Sequence, residues 1–340
     1  MPTNKVNNNI KLKSGGGVIN DATDGLSVNN DNVFQGVFGD GSDGDVTISS
    51  DTPLARDMYY NNLTINNGIT LNPKGFRIFV KGTLNCIGTG KIDSNGGNGG
   101  NGVDGYTTDR AGGTAGVRDY TTGTLPVPTA GAVGGAAVMD ETTQNGLKVD
   151  IVKNLSKVYP GAVGGNGGNG VDTNGGTGGA TGAVTGTIYS YPFNFKSWYD
   201  LYDLLDSTIT KFNTSPGAGS GAGGGRQTGS SGGSGGGSGA SGGVIFISAN
   251  VITNLNVDAK GGNGGNGGNG RSGYDTGGGG GGAGGTGGVI IIFYNTKTTV
   301  TASVAGGTKG TKGLRGYAGV ATDGSDGNNG SDGLVIQIAI

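Results

Sequence analysis

The side chains that most often carry chemistry are nearly missing from this chain of 340 residues. There is no His, one Cys (Cys86) and one Glu (Glu141), so neither a Ser-His nor a Cys-His nucleophilic pair can be assembled. Acid–base work would fall to Asp. Asp40, Asp43 and Asp45 in GDGSDGD stand close enough to suggest the paired carboxylates of a polysaccharide-cleaving enzyme. Asp-Gly turn chemistry accounts for them more simply. Cys86, between Asn85 and Ile87 in a strand-like run, reads as a small buried hydrophobe. One Cys offers neither a disulfide nor a thiol cluster. GGNGVDGYT (99–107) matches one unit of a calcium β-roll, but that architecture needs tandem copies. GGNGVDTNG (167–175) lacks the large apolar residue and GGNGRSGYD (267–275) lacks the Asp. No catalytic residue, cofactor or metal is expected.

Binding chemistry is better represented. YTTDRAGGTAGVRDYTTGTLPVP (106–128) carries Tyr106, Arg110, Arg118 and Tyr120; GRSGYDTG adds Arg271 and Tyr274, and GLRGYAG adds Arg315 and Tyr317. Tyr and Arg dominate interface hot spots, and Tyr with Ser and Gly typifies adaptable loops. The competing reading is that Tyr is merely tolerated in loops while Arg pairs with nearby Asp.

Something must hold those loops, and composition indicates what. Gly fills 82 positions against 8 Pro, which excludes collagen, and the net charge of −2 favours neither nucleic acid nor an acidic membrane. No run of about 18 apolar residues is present, so no membrane insertion is expected. The start, MPTNKVNNNI, is polar and does not resemble a secretory signal, so synthesis in a cytoplasm is expected.

Apolar residues concentrate in strand-like runs. GFRIFVKGTLNCIGTGKIDSNGGNGGNG (75–102), GVIFISANVITNLNVDAKGGNGGNGGNG (243–270) and GVIIIFYNTKTTVTASVAGGTKGTKG (288–313) share an order of strand, strand and glycine run, and GLVIQIAI (333–340) repeats its start. With DVTISS, NNLTI and GITL upstream, these read as rungs of a parallel β-helix, the alternative being an antiparallel meander. Two amphipathic stretches, 141–158 and 195–212, have apolar residues at helical spacing and are expected to be short α-helical covers over a sheet face.

The glycine runs keep a period of three. An extended helix with three residues per turn has no internal hydrogen bonds, so its N–H and C=O groups point outward to like helices packed beside it. This is polyglycine II, and only Gly permits the approach. Ordering Gly costs backbone entropy at the upper end of about 1–2 kcal/mol per residue, so several runs must pack together. The number of Gly per triplet should then report how enclosed a run is. GGGGGG (277–282) should be surrounded, the NGG runs should lie in outer layers with Asn facing water, and 307–319 and 324–333, with one Gly per triplet, should be outermost.

These triplets, at 95–102, 164–180, 217–243, 260–288 and 306–333, resemble those of the glycine-rich adhesins at the tips of bacteriophage long tail fibres. Residues 46–92 look like the β-helical segments of phage virion proteins. The resemblance implies a virion location and a rigid sandwich whose end loops bind a host-surface receptor, protein or glycan. It also implies attachment to other virion proteins through the N-terminal region. The expected fold is mainly β, parallel β-helix-like rungs combined with a polyglycine II bundle and two short α-helical inserts. The expected divisions are an attachment segment (1–45), β-helix-like strands (46–94) and a glycine-rich domain (95–340) with inserts 103–163 and 183–216. A capsid or tail component without receptor binding, and an ice-binding protein, are the alternatives.

Overall fold

A computed structural model of the chain describes residues 18–21, 25–28, 36–139, 157–158, 162–170, 212–213, 223–224 and 229–340. β1 (Val18–Asp21) and β2 (Gly25–Val28) form an antiparallel hairpin. The main sheet contains β3 (Asp45–Ile48), β4 (Thr52–Pro53), β5 (Met58–Tyr60), β6 (Asn62–Ile65), β7 (Thr70–Asn72), β8 (Ile78–Cys86) and β9 (Lys91–Asp93). β10 (Lys157–Val158) and β11 (Phe212–Asn213) form a separate short parallel pair. The main sheet resumes with β12 (Val244–Asp258), β13 (Val289–Ser303) and β14 (Leu334–Ala339).

Every pairing in the main sheet is parallel, which overturns the meander alternative. Along β12, Ile247 pairs with Ile78 of β8, Leu84 lies beside Ile252, and Val257 pairs with Ile92 of β9, so one long strand spans two shorter ones. Register shifts at Ala249/Val251 and Ile252/Asn254 bend it between those partners. Successive turns of chain stack into a nearly closed sheet, an arrangement compatible with a β-helix. The strands of 46–94 and those of 244–339 belong to this one sheet.

The reason lies in the apolar pattern. Leu63, Ile65, Leu71, Ile78, Leu84, Ile92, Ile245, Ile247, Ile252, Leu255, Ile290 and Ile292 fill one buried core. The first halves of β12 and β13 are buried on both faces, as continuous β-branched runs require. Their other face joins Val37, Leu125, Val244, Phe246, Val289, Ile291 and Phe293 in a second cluster. Aromatic rings climb this face from Tyr59 to Phe79 (4.9 Å), Phe79 to Phe246 (5.6 Å) and Phe246 to Phe293 (5.6 Å). Cys86 is buried opposite Ile65, and that burial pushes its thiol pKa up, as a packing role demands.

Between strands the chain makes long excursions of glycine. Residues 94–105 leave the sheet and 229–243 return; 259–270 leave and 276–288 return; 304–316 leave and 322–333 return. Their N–H groups donate across segments. Run 276–288 donates to 223–224, 259–270 and 322–333, and accepts from 162–169, 229–243 and 304–316, so GGGGGG is enclosed on every side. Run 259–270 bonds to 94–105, 229–243, 276–288 and 304–316, leaving Asn263, Asn266 and Asn269 exposed. The outgoing run 304–316 and returning run 322–333, with one Gly per triplet, keep two residues of most triplets at the surface.

Two details go beyond the expected pattern. Run 229–243 is as enclosed as GGGGGG yet carries Ser at 230, 231, 234, 238 and 241, all fully buried. Serine is tolerated because its hydroxyl bonds a neighbouring backbone: Val103 N–H donates to Ser234 Oγ (2.7 Å) and Ala132 N–H to Ser238 Oγ (2.7 Å). The Asn residues, meanwhile, do more than face water. Asn98 Oδ1 accepts from Asn263 N–H, and Asn263 Oδ1 accepts from Thr308 N–H, 45 residues on. Asn101, Asn266 and Thr311 repeat this ladder, as do Asp104, Asn269 and Leu314. Each side-chain carbonyl satisfies the non-glycine N–H of the next layer, and β12, β13 and β14 pair at the same 45-residue offset.

No helix occurs among the described residues. Most of 141–158 and 195–212 lies outside them, but Lys157–Val158 and Phe212–Asn213 are strand, not helix ends. There the backbone bonds to a parallel neighbour instead of to its own preceding turn. The expected insert 103–163 is in part a continuation of the glycine network. Gly113 and Gly116 donate to Gly235 and Ser238, and Gly131 and Gly134 donate back to Gly116 and Gly113.

Candidate functional site

Antiparallel pairing of each outgoing and returning run fixes two ends. At the sheet end Gly243 N–H donates to Ser94 O, Gly288 to Ala259 O and Gly333 to Val304 O. At the far end Ser231 N–H donates to Tyr106 O, Gly273 to Gly316 O and Gly316 to Thr276 O. The turns around 106–110, 271–275 and 317–321 are therefore collected at one tip, although 165 residues separate Asp104 from its ladder partner Asn269.

At this tip Tyr106 is 56 % exposed, with the Arg110 guanidinium 4.9 Å and the Arg271 guanidinium 5.9 Å from its ring centre. Arg271 also covers the Tyr274 ring at 3.8 Å. It donates from Nη1 to Ser230 Oγ (2.8 Å) and from Nη2 to the Tyr274 hydroxyl (3.2 Å). Ser230 and Gly229, which fix this guanidinium, belong to the serine run, and no spacing in the sequence pointed to them. Arg110 is held at its backbone by reciprocal bonds with Ala137, and Met139 N–H donates to Asp109 Oδ1 beside it (2.8 Å). Tyr317 is 59 % exposed on the neighbouring turn.

Three of the sequence candidates are placed differently. Tyr120 is a buried residue and not part of a surface loop, with only 4 % exposure. Its hydroxyl donates to Pro126 O (2.7 Å) and accepts from Val244 N–H (3.2 Å), and burial drives its pKa well up. It is buried because its hydroxyl reaches Val244 N–H of β12, on the face where Leu125 joins the second cluster. Arg118 is exposed but lies at the sheet end, one residue beyond Val117, whose carbonyl accepts from Gly97, and beside Asp119, which binds Lys74 (2.8 Å). Arg315 reaches the tip but is engaged there: its N–H donates to Asp323 Oδ1 (3.0 Å) and its guanidinium to Ala321 O (3.2 Å).

The acidic turn is occupied by structure. Asp43 binds the Arg56 guanidinium and accepts from Tyr59 N–H, Asp40 accepts from Ser42 N–H, and Asp45 accepts from the Asn61 and Asn62 amides. These bonds hold all three carboxyls below their ordinary pKa, through Arg56 for Asp43, Ser42 for Asp40 and Asn61 for Asp45. Asp104, the acid of the β-roll-like segment, substitutes for Asn in the ladder. Among the described residues no group of three or more His, Cys, Asp or Glu is placed to hold a metal ion. Comparison with family models, with curated proteins and with solved structures gave no match.

Proposed function

We propose that this chain is a receptor-binding structural protein of a bacteriophage virion, a tail-fibre or spike-tip adhesin that works without a catalytic step. In this reading the stacked parallel strands are a β-helix, the glycine runs are polyglycine II helices packed on it, and the N-terminal region docks onto other virion proteins. The host-surface receptor is met by the tip. One observation carries the proposal: Tyr106, Arg110, Arg271 and Tyr274 come from distant parts of the sequence yet are stacked together at the end furthest from the sheet. Backbone bonds between runs hold these turns before any ligand arrives, which lowers the ordering cost of binding.

The test is adsorption of particles carrying the chain to their host cells. Paired Tyr106→Ala and Tyr274→Ala substitutions should lower adsorption at least about tenfold, the effect of losing one hot-spot residue or more. Arg118→Ala, at the opposite end, should leave it unchanged. Adsorption unaffected by the tip pair would leave a structural component without receptor binding.

A further inference from the structure

Most cations of the described residues have acidic partners. Arg56 pairs with Asp43, Arg77 with Asp57, Arg315 with Asp323, Lys309 with Asp326 and Lys312 with Asp323. Arg110 and Arg271 form no ion pair among the described residues; instead both lie against the ring of Tyr106. Among those residues two buried side-chain atoms lack any hydrogen-bond partner, Arg110 Nε and Asp275 Oδ1. Both belong to tip turns. A buried guanidinium N–H left without an acceptor, as at Arg110 Nε, is costly, and the planar fork of either arginine matches a carboxylate or phosphate.

From this arrangement we propose that the tip takes an acidic saccharide, a chain of sugar rings bearing carboxylate or phosphate groups, with Arg110 and Arg271 as the anion-binding residues. The inference rests on the reading of this end as the binding end. Arg110 and Arg271, which form no ion pair among the described residues, call for an anion, and two features at the tip favour a saccharide over an acidic peptide as its carrier. The exposed rings of Tyr106 and Tyr317 offer apolar faces against which a sugar ring can lie. The Tyr274 hydroxyl, which accepts from Arg271 Nη2, can exchange further hydrogen bonds with the many hydroxyls of a sugar. Fixed cations flanked by aromatic faces select the charged ring over a neutral one. The nearby carboxylates of Asp104 and Asp109 accept from Asn269 N–H and Met139 N–H, and among the described residues neither forms an ion pair with Arg110 or Arg271.

The experiment uses the purified full chain and four immobilised polymers: polygalacturonate, a phosphorylated mannan, neutral dextran and poly-glutamate. The expected result is binding to polygalacturonate or to the phosphorylated mannan, the preferred one identifying the anion. Little binding to dextran or poly-glutamate is expected. Arg110→Gln and Arg271→Gln should each weaken binding at least about tenfold, Arg110→Lys and Arg271→Lys less, and Arg118→Gln not at all. A second measurement needs no variant: wild-type binding should weaken as salt is raised from 0.05 to about 0.5 M, because the contact is ionic and partly exposed. Binding to neither acidic polysaccharide, equal binding to dextran, preference for poly-glutamate, or equal loss in Arg118→Gln would overturn the proposal. If tip substitutions abolish adsorption of particles while no acidic polysaccharide is bound, the adhesin reading survives and the acidic ligand does not.

Discussion

Substituting Gly282 by Ala tests the enclosed glycine network directly. A Cβ there would stand 2.6 Å from the Gly237 carbonyl carbon, closer still to its oxygen, and 3.1 Å from Gly236 O. All are backbone atoms of the buried serine run, so no side chain can swing aside. Runs 276–288 and 229–243 must separate locally. That separation strains the bonds from Gly236 N–H to Gly280 O and from Gly239 N–H to Ala283 O, both 3.0 Å long. Overpacking costs about 1–3 kcal/mol, and each buried N–H left without an acceptor costs about 1–3 kcal/mol. A total of about 4 kcal/mol is expected. With an unfolding entropy of about 2.1 cal/mol/K per residue, a chain of this length loses roughly 6 °C of Tm for that amount. Asn266→Ala is the matched control. It removes the acceptor of Thr311 N–H in an exposed row where water can replace it, so its cost should stay below about 1 kcal/mol. Differential scanning calorimetry of the three chains decides the matter. A Gly282→Ala protein that melts within 1–2 °C (about 1 kcal/mol) of wild type would refute the close approach of these two runs.

Two further outcomes follow from the side chains. Lys309 beside Asp326 holds that carboxyl below its ordinary range, and for Asp323 the Arg315 N–H and then Lys312 do the same. Carboxyls lowered in the folded state contribute stability above the unfolded value near 4 and lose it as pH falls through the lower folded values. Tm should therefore be level from pH 7 to about 5 and fall below about 4, with a shallower acid fall in Asp323→Asn/Asp326→Asn; a decline between pH 7 and 5 would contradict this. Cys86, buried and with its thiol pKa raised by burial, should resist iodoacetamide at pH 8 in the folded chain and react fully in 6 M guanidinium (roughly the concentration that unfolds most domains). Rapid labelling of the native protein would argue against its place opposite Ile65.

Much of the architecture was legible from period and composition. VIFIS and VIIIF read as buried strands because β-branched residues without alternation need cover on both faces, and β12 and β13 have it. The glycine triplets read as ordered because a period of three is meaningless in a linker. GGGGGG proved enclosed for the reason expected, the absence of side chains. The Tyr and Arg loops were also visible as residue types. Their grouping was not: Tyr120 and Tyr106 look alike in sequence, yet one packs under Pro126 and the other stands open beside two arginines.

Sequence alone thus marked the long strands and the glycine triplets, since both depend on local side-chain size and periodicity, but not the glycine network through Gly113–Gly134 or the strands at 157–158 and 212–213. Tertiary structure decided everything that depends on what lies alongside. It made Asn263, Asn266 and Asn269 the acceptors for N–H groups 45 residues on, and Asn98 and Asn101 the acceptors for N–H groups 165 residues on. It admitted buried Ser where a neighbouring backbone could bond its hydroxyl. It also turned Arg118 towards the sheet end while bringing Arg110 and Arg271 onto one ring at the tip. The physical reason is that a glycine run whose N–H and C=O groups bond only to neighbouring segments has no partners of its own. Its neighbours, set by the direction and length of each excursion from the sheet, assign a role to every side chain it carries.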